Sequence, residues 1–215
     1  MTFEDARVLV DTSTDLRGQA LRFGVDRVDA VLFTHSHADH IFGLDDTRRF
    51  NVLSGAALPL FADEATLADL RRAFAYAFSA GPTEGGGVPA LTLFRIAGPF
   101  TLFGQDVIPV PLWHGRQSIL GFRVGRFAYL TDCSRIPDSS WPLLTDLDVV
   151  VLDALRDRPH PTHFTVADAV LAARRIGARR TYLTHMCHDL GHEALLARLP
   201  SGIEPAFDGL ELTVG

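Results

Sequence analysis

From His35 to His185, seven side chains able to bind a metal ion stand in four short motifs, each where a strand is expected to end. Side chains so far apart in sequence can share ions only in a fold that gathers those strand ends. The first motif is the densest, Thr34-His35-Ser36-His37-Ala38-Asp39-His40. Residues 28–33 before it read as a buried strand, and in extended chain His35 and His37 project to one side, two residues apart, so both can reach one ion. Asp39 and His40 follow at the turn into a helix expected to begin near Ile41, where they can face a second ion. Imidazole nitrogen at roughly 2.0–2.1 Å and carboxylate oxygen at about 2.0–2.2 Å are ordinary zinc distances, and three histidines and an aspartate within six residues are hard to account for by packing. His114 follows the apolar run 107–113, Asp132 ends 127–131 and His185 ends 180–184. A carboxylate has two oxygens, which makes Asp132 the natural bridge between two ions.

Around these motifs, apolar or period-2 runs alternate with helical periodicity, as in a layered α/β fold. Strands are expected at 6–12, 28–34, 107–113, 121–131, 147–153, 180–184 and 210–214, and helices at 41–50, 64–79, 165–177 and 192–199. Thr165 followed three residues later by Asp168 resembles a capping box, and Gly177 is placed to end that helix. The stretch 81–89 is too rich in Gly and Pro to be an element interior and reads as a loop.

At 215 residues, 47% of them hydrophobic and 21% charged, the chain can bury a full core as one domain. Its net charge of −6 argues against a general nucleic-acid or anionic-membrane surface. All 20 basic residues are arginine, which excludes Schiff-base and P-loop lysine chemistry. Two cysteines, Cys133 and Cys187, with no leader-like or membrane-length apolar run, favour a reduced cytoplasmic protein, and both thiols are expected to be buried and structural.

The order His35-x-His37-x-Asp39-His40, then His114, Asp132 and His185, resembles the metallo-β-lactamase superfamily of binuclear hydrolases over nearly the whole chain. The flanks Val31-Leu32-Phe33-Thr34-His35, Gly43-Leu44-Asp45-Asp46, Tyr129-Leu130-Thr131-Asp132, Leu183-Thr184-His185 and Phe207-Asp208-Gly209 are similar to its phosphoribosyl cyclic-phosphate phosphodiesterase branch. The resemblance implies an α/β fold, an αβ/βα sandwich of two mixed sheets with helices on the outer faces, formed by a single domain over 1–215. It also implies two divalent ions, Zn or Mn: His35, His37 and His114 on one, Asp39, His40 and His185 on the other, Asp132 bridging. His163 matches the branch's additional active-site histidine, with an implied role in handling the leaving-group proton or binding substrate phosphate. Asp11 matches the aspartate that supports the metal loop by hydrogen bonding, and Asp153 could serve similarly. The branch's N-terminal Gly-rich strand and cysteine cluster, which with a late histidine hold a structural zinc, have no counterpart here, although His188 matches the late ligand.

The implied reaction is opening of a small cyclic phosphate ester by hydroxide held between two metals, with His163 as candidate general acid and Arg116 as a candidate phosphate partner. The expected partners are a small anionic phosphoester substrate and a second copy of the chain in a homodimer, without nucleic acid or membrane. The alternatives are a carboxylic-ester, thioester or lactone hydrolase, since the same metals can activate water against carbonyl carbon, and a metal-free accessory protein on the same fold.

Overall fold

The computed structural model describes residues 1–4, 6–79 and 87–214. The chain divides into two compact units, Met1–Gly98 and Pro99–Gly215, each with its own mixed sheet and core. Residues 81–86 of the expected Gly-Pro loop lie outside the described residues.

In the first unit, β1 (Thr2–Phe3), β2 (Ala6–Val10), β3 (Ala30–Leu32), β4 (Leu58–Ala62) and β5 (Leu91–Arg95) lie in that spatial order. Among the described residues only the β1–β2 pair of this sheet is antiparallel. A parallel interior strand is covered on both faces, so β3 is apolar and buried at every position. β4 and β5 were not anticipated from the sequence. Pro59, which cannot donate to a ladder, sits inside β4 and breaks the usual strand signature.

The helices of this unit are α1 (Leu16–Arg22), α2 (Ala38–Ile41), α3 (Arg48–Ser54), α4 (Glu64–Ala73) and α5 (Ala75–Phe78). The helix expected at 41–50 is instead α2, a 3₁₀ turn at Leu44–Thr47 and α3. Gly43 causes the break: its N–H donates to the Thr12 carbonyl at 3.0 Å, and a Cβ there would overlap the Ser13 carbonyl oxygen. Likewise 64–79 divides at Phe74, whose φ of −115° and ψ of 39° leave the helical region. Asp63 starts α4 by accepting the Thr66 N–H at 2.8 Å. Phe33, Leu44, Leu60 and Leu70 are wholly buried in this unit's core.

The second unit holds β6 (Phe100–Leu102), β7 (Gln105–His114), β8 (Gln117–Val124), β9 (Phe127–Leu130), β10 (Val149–Asp153), β11 (Arg180–Thr184) and β12 (Ile203–Pro205), in spatial order 12-11-10-9-8-7-6. The sheet is parallel from β12 to β9 and antiparallel from β9 to β6. Residues 121–131, expected as one strand, are the end of β8 and all of β9, reversed at Gly125 with φ of 53°. Apolar residues continue on both sides of that turn, which hides it from a periodicity count. No strand forms at 210–214; β12 takes the sheet edge beside β11 instead.

α6 (Val166–Ile176) has the expected capping box between Thr165 and Asp168, and Gly177 ends it at φ of 69°. Its Ala169, Ala172 and Ala173 pack into the core with Val150, Leu152 and Leu183. α7 (His192–Leu196) follows β11. Among the described residues no helix is long and apolar enough to cross a membrane.

Candidate metal centre

In the first unit the chain leaves β3 and runs through Thr34 and His35 to His37, the extended residue that caps α2. Asp39 and His40 therefore lie within the helix and not on the turn before it, as expected from sequence. The ring of His35 lies 4.5 Å from that of His37 and 4.2 Å from that of His40, centre to centre. Asp39 Oδ2 is 3.4 Å from His40 Nε2. All four residues of the first motif are thus brought together on a segment of local chain.

What holds His40, and His35 by way of Thr34, is Asp11, just past the end of β2. Its Oδ2 accepts from His40 Nδ1–H at 2.7 Å and from the Thr34 hydroxyl at 2.8 Å, while Oδ1 accepts from Thr34 N–H at 2.8 Å. The Thr34 hydroxyl, having given its proton to Asp11, accepts from His35 Nδ1–H at 3.0 Å. Both imidazoles are thereby fixed as Nδ1–H tautomers, which directs the coordinating lone pair to Nε2. Burial pushes the Asp11 carboxyl above its usual range, and the hydrogen bonds from His40 and Thr34 oppose that rise. Ser36, between the two histidines, donates to Asp69 of α4 at 2.5 Å. Thr34 and Asp69 were not singled out from sequence. Thr34 could have been read from its place beside His35, but Asp69 lies 33 positions from its partner and has no local signal.

In the second unit, His114 ends β7, Asp132 follows β9, Asp153 ends β10 and His185 follows β11. His114 Nδ1–H is shared by the carbonyls of Thr162 at 2.8 Å and Asp132 at 2.9 Å, which again turns Nε2 toward a ligand. Asp132 is buried, its Oδ1 accepts from the Thr131 hydroxyl at 2.7 Å, and its Oδ2 is 3.4 Å from His185 Nε2. His163 Nδ1–H donates to Asp153 Oδ1 at 3.1 Å, and the other Asp153 oxygen accepts Phe164 N–H at 2.9 Å. The His163 ring stacks on that of His185 at 4.8 Å and meets that of His114 edge-on at 4.7 Å. Burial holds the wholly buried Asp153 well above the usual carboxylate range, against the opposing pull of His185. Donor atoms of His114, Asp132 and His163 lie within 4.8 Å of one another, as do those of Asp153, His163 and His185.

Asp11, Asp132 and His185 all have left-handed backbone, with φ of 61°, 55° and 59°. Such a conformation costs a non-glycine residue about 1–3 kcal/mol and concentrates at functional positions. Each of these residues turns the chain sharply off a strand end, which no pattern in the sequence revealed.

Other expected residues fall outside these clusters. The His188 side chain is 96% exposed and 3.5 Å from Asp189, and no metal-competent cluster among the described residues includes it. Cys133 is buried as expected, with its thiol pKa pushed up by burial, but Cys187 is only half-buried because it sits on the turn after β11. Arg116 is exposed on the turn between β7 and β8.

Residues 6–186 match the model of the beta-lactamase superfamily domain. The chain belongs to that superfamily. A diphosphatase of the PhnP family has a solved structure that is 44% identical, with a TM-score of 0.92 over 100% of this chain and 82% of that one. The metallo-beta-lactamase fold protein YhfI of Bacillus subtilis superposes with a TM-score of 0.78 at 20% identity, over 97% of this chain and 87% of that one. Together they establish the metallo-β-lactamase fold. A curated relative from Porphyromonas gingivalis, named an octanoyltransferase, is 35% identical over 212 residues, 97% of this chain. The chain spans 42% of that protein's length.

The side chains of both units fit divalent metal ions. The donors are imidazole nitrogens and carboxylates, and His35, His40 and His114 each have Nδ1 committed to an oxygen, as ligating histidines do.

Proposed function

We propose that this chain is a binuclear metal-dependent phosphodiesterase that opens a small cyclic phosphate ester. In this reading His35, His37 and His114 hold one ion, Asp39, His40 and His185 hold the other, and Asp132 serves both. Nitrogen-rich ligation suits zinc, and the carboxylates also admit manganese. The observation that carries the reading is His163, fastened through Nδ1 to buried Asp153 and stacked on His185. The 44% identical relative, a diphosphatase by name, points toward phosphorus as well.

Two divalent ions held by these residues would supply an ionised water near neutral pH and positive charge beside the phosphoryl oxygens. The chain's own contribution is proton delivery. As water oxygen forms a new bond to phosphorus and the ring P–O bond breaks in line with it, the Nε2 proton of His163 passes to the departing oxygen. Asp153 keeps the ring oriented by accepting from its Nδ1–H.

A panel of cyclic phosphates, bis-p-nitrophenyl phosphate and p-nitrophenyl carboxylic esters, run on metal-loaded protein, tests the reading; preference for the carboxylic esters would sink it. His163→Ala should keep its metals and lose roughly 10²–10⁴-fold in rate on an alkyl or ribosyl diester. Its loss should be much smaller with p-nitrophenol, which departs without a proton. Equal losses on both would make His163 a positioning residue.

A second reading, hydrolysis of a carboxylic ester or thioester, is favoured by the name of the Porphyromonas gingivalis relative, although that name belongs to a protein more than twice this length. The same panel separates the two.

A further inference from the structure

The turn carrying His163 carries a second histidine that the proposed reaction leaves unused. His160 Nδ1 accepts from the Thr162 N–H at 3.4 Å and from the Thr162 hydroxyl at 3.1 Å. A neutral imidazole whose Nδ1 is an acceptor carries its proton on Nε2. Desolvation and the charges of His163 and Arg156 lower its pKa, which favours that neutral form. The ring centre lies 5.0 Å from that of His163, with a 47° tilt. Rings at this spacing are close enough for both to contact one phosphoryl group.

The turn that presents His160 is braced on every side. The Arg156 guanidinium donates to the carbonyls of Arg158 at 3.3 Å and Pro159 at 3.1 Å, and Arg158 pairs with Asp189 at 2.8 Å. Phe164 N–H donates to the Cys133 carbonyl at 2.7 Å. Thr162 seats against Gly115, where any Cβ would lie 2.8 Å from its methyl carbon, and its carbonyl accepts from His114. One residue, Thr162, therefore orients a proposed metal ligand through its carbonyl and His160 through its N–H and hydroxyl.

We propose that His160 is a substrate-binding residue, donating from Nε2–H to a non-bridging oxygen of the phosphoryl group whose leaving oxygen His163 protonates. The inference rests on the phosphodiesterase reading and deepens it. His160 supplies a neutral donor and His163 the proton, so their variants should fail in different ways.

The test compares metal-loaded wild type with His160→Ala and His160→Gln, the latter keeping an N–H donor at similar reach. With bis-p-nitrophenyl phosphate, His160→Ala should raise KM about tenfold while kcat changes little, the loss of one hydrogen bond to a charged group. Inorganic phosphate should bind the alanine variant about tenfold more weakly, read as a competitive inhibition constant and as a smaller phosphate-induced rise in melting temperature. His160→Gln should recover part of both, and metal content should equal wild type in all three proteins. Unchanged phosphate binding in His160→Ala, a loss confined to kcat, or a fall in metal content would each overturn the proposal. The thermal-shift arm does not depend on which ester is hydrolysed. If phosphodiesters prove inert but phosphate binding still weakens in His160→Ala, the catalytic reading fails and the anion-binding role stands; a wild type that phosphate does not stabilise overturns the role itself.

Discussion

Replacing Asp11 with Asn separates metal ligation from folding. Asp11 presents two acceptor oxygens to three donors: Thr34 N–H, the Thr34 hydroxyl and His40 Nδ1–H. An amide has one acceptor oxygen. If that oxygen stays on Thr34 N–H, the NH₂ faces His40 Nδ1 and the Thr34 hydroxyl, and the favourable response is for His40 to move its proton to Nε2, the nitrogen needed for the metal. Loss of such an orienting partner typically costs 10–100-fold in metal affinity, about 1.4–2.7 kcal/mol. Asn is the right probe because Asp11 has a φ of 61°, a left-handed conformation that Asn tolerates and that would strain Ala. Burial raises the Asp11 pKa, so its charge does not favour the metal-free fold. The neutral amide removes that desolvation cost as it removes hydrogen bonds, and the metal-free melting temperature should change little. Zinc affinity measured against a chromophoric chelator, with the melting temperature of metal-free protein alongside, reads both quantities. Affinity unchanged within about twofold of wild type would refute the tautomer argument, and a collapse of the metal-free protein would make Asp11 a folding residue first.

Metal analysis of protein expressed with excess zinc or manganese should approach two equivalents, and Asp132→Ala should lower both occupancies; retention of two ions by that variant would remove Asp132 as the bridge. Gly43→Ala should destabilise the first unit by about 1–3 kcal/mol, because its Cβ would overlap the Ser13 carbonyl oxygen and lie 2.9 Å from Leu16 Cβ; a wild-type chemical denaturation midpoint would contradict the packing. The Arg126 guanidinium donates to both oxygens of Asp148 at 2.9 and 3.1 Å and, by that hydrogen bonding, holds the carboxyl below its usual range. A lowered carboxyl pKa gives stability present above the unfolded value of about 3.9 and lost as pH falls through the folded one. Asp148→Asn should therefore melt below wild type at pH 7, and the gap should close as the pH is taken below about 4; a gap independent of pH would assign the effect to packing.

The first motif was legible as a metal-competent cluster because its side chains are neighbours in sequence, and imidazole and carboxylate at that spacing have few other uses. The places of His114, Asp132 and His185 at or just past strand ends were legible because each closes an apolar run, and His163 drew notice through family resemblance together with its place before the capping box at Thr165. Helix α6 was read with both its signals, since a capping box and a C-terminal glycine act through hydrogen bonds and backbone angles within a few residues. Periodicity failed where apolar residues close in on both sides of a two-residue turn, as at Gly125-Arg126 between β8 and β9, and where one close contact ends a helix, as at Gly43 against Ser13.

By itself, then, the sequence determined the α/β alternation and the identity of the metal-competent side chains, because periodicity and donor chemistry are local properties. Tertiary structure alone decided how those side chains are aimed. Asp69 holds Ser36 from a separate helix, and Thr162 meets His114 across 48 positions of chain. Asp11, Asp132 and His185 adopt left-handed backbone at strand ends that nothing in their neighbours' identities requires. A hydrogen bond that fixes an imidazole tautomer needs its partner within about 3 Å, and for His40 and His114 that partner is set by the packing of strands and loops distant in sequence.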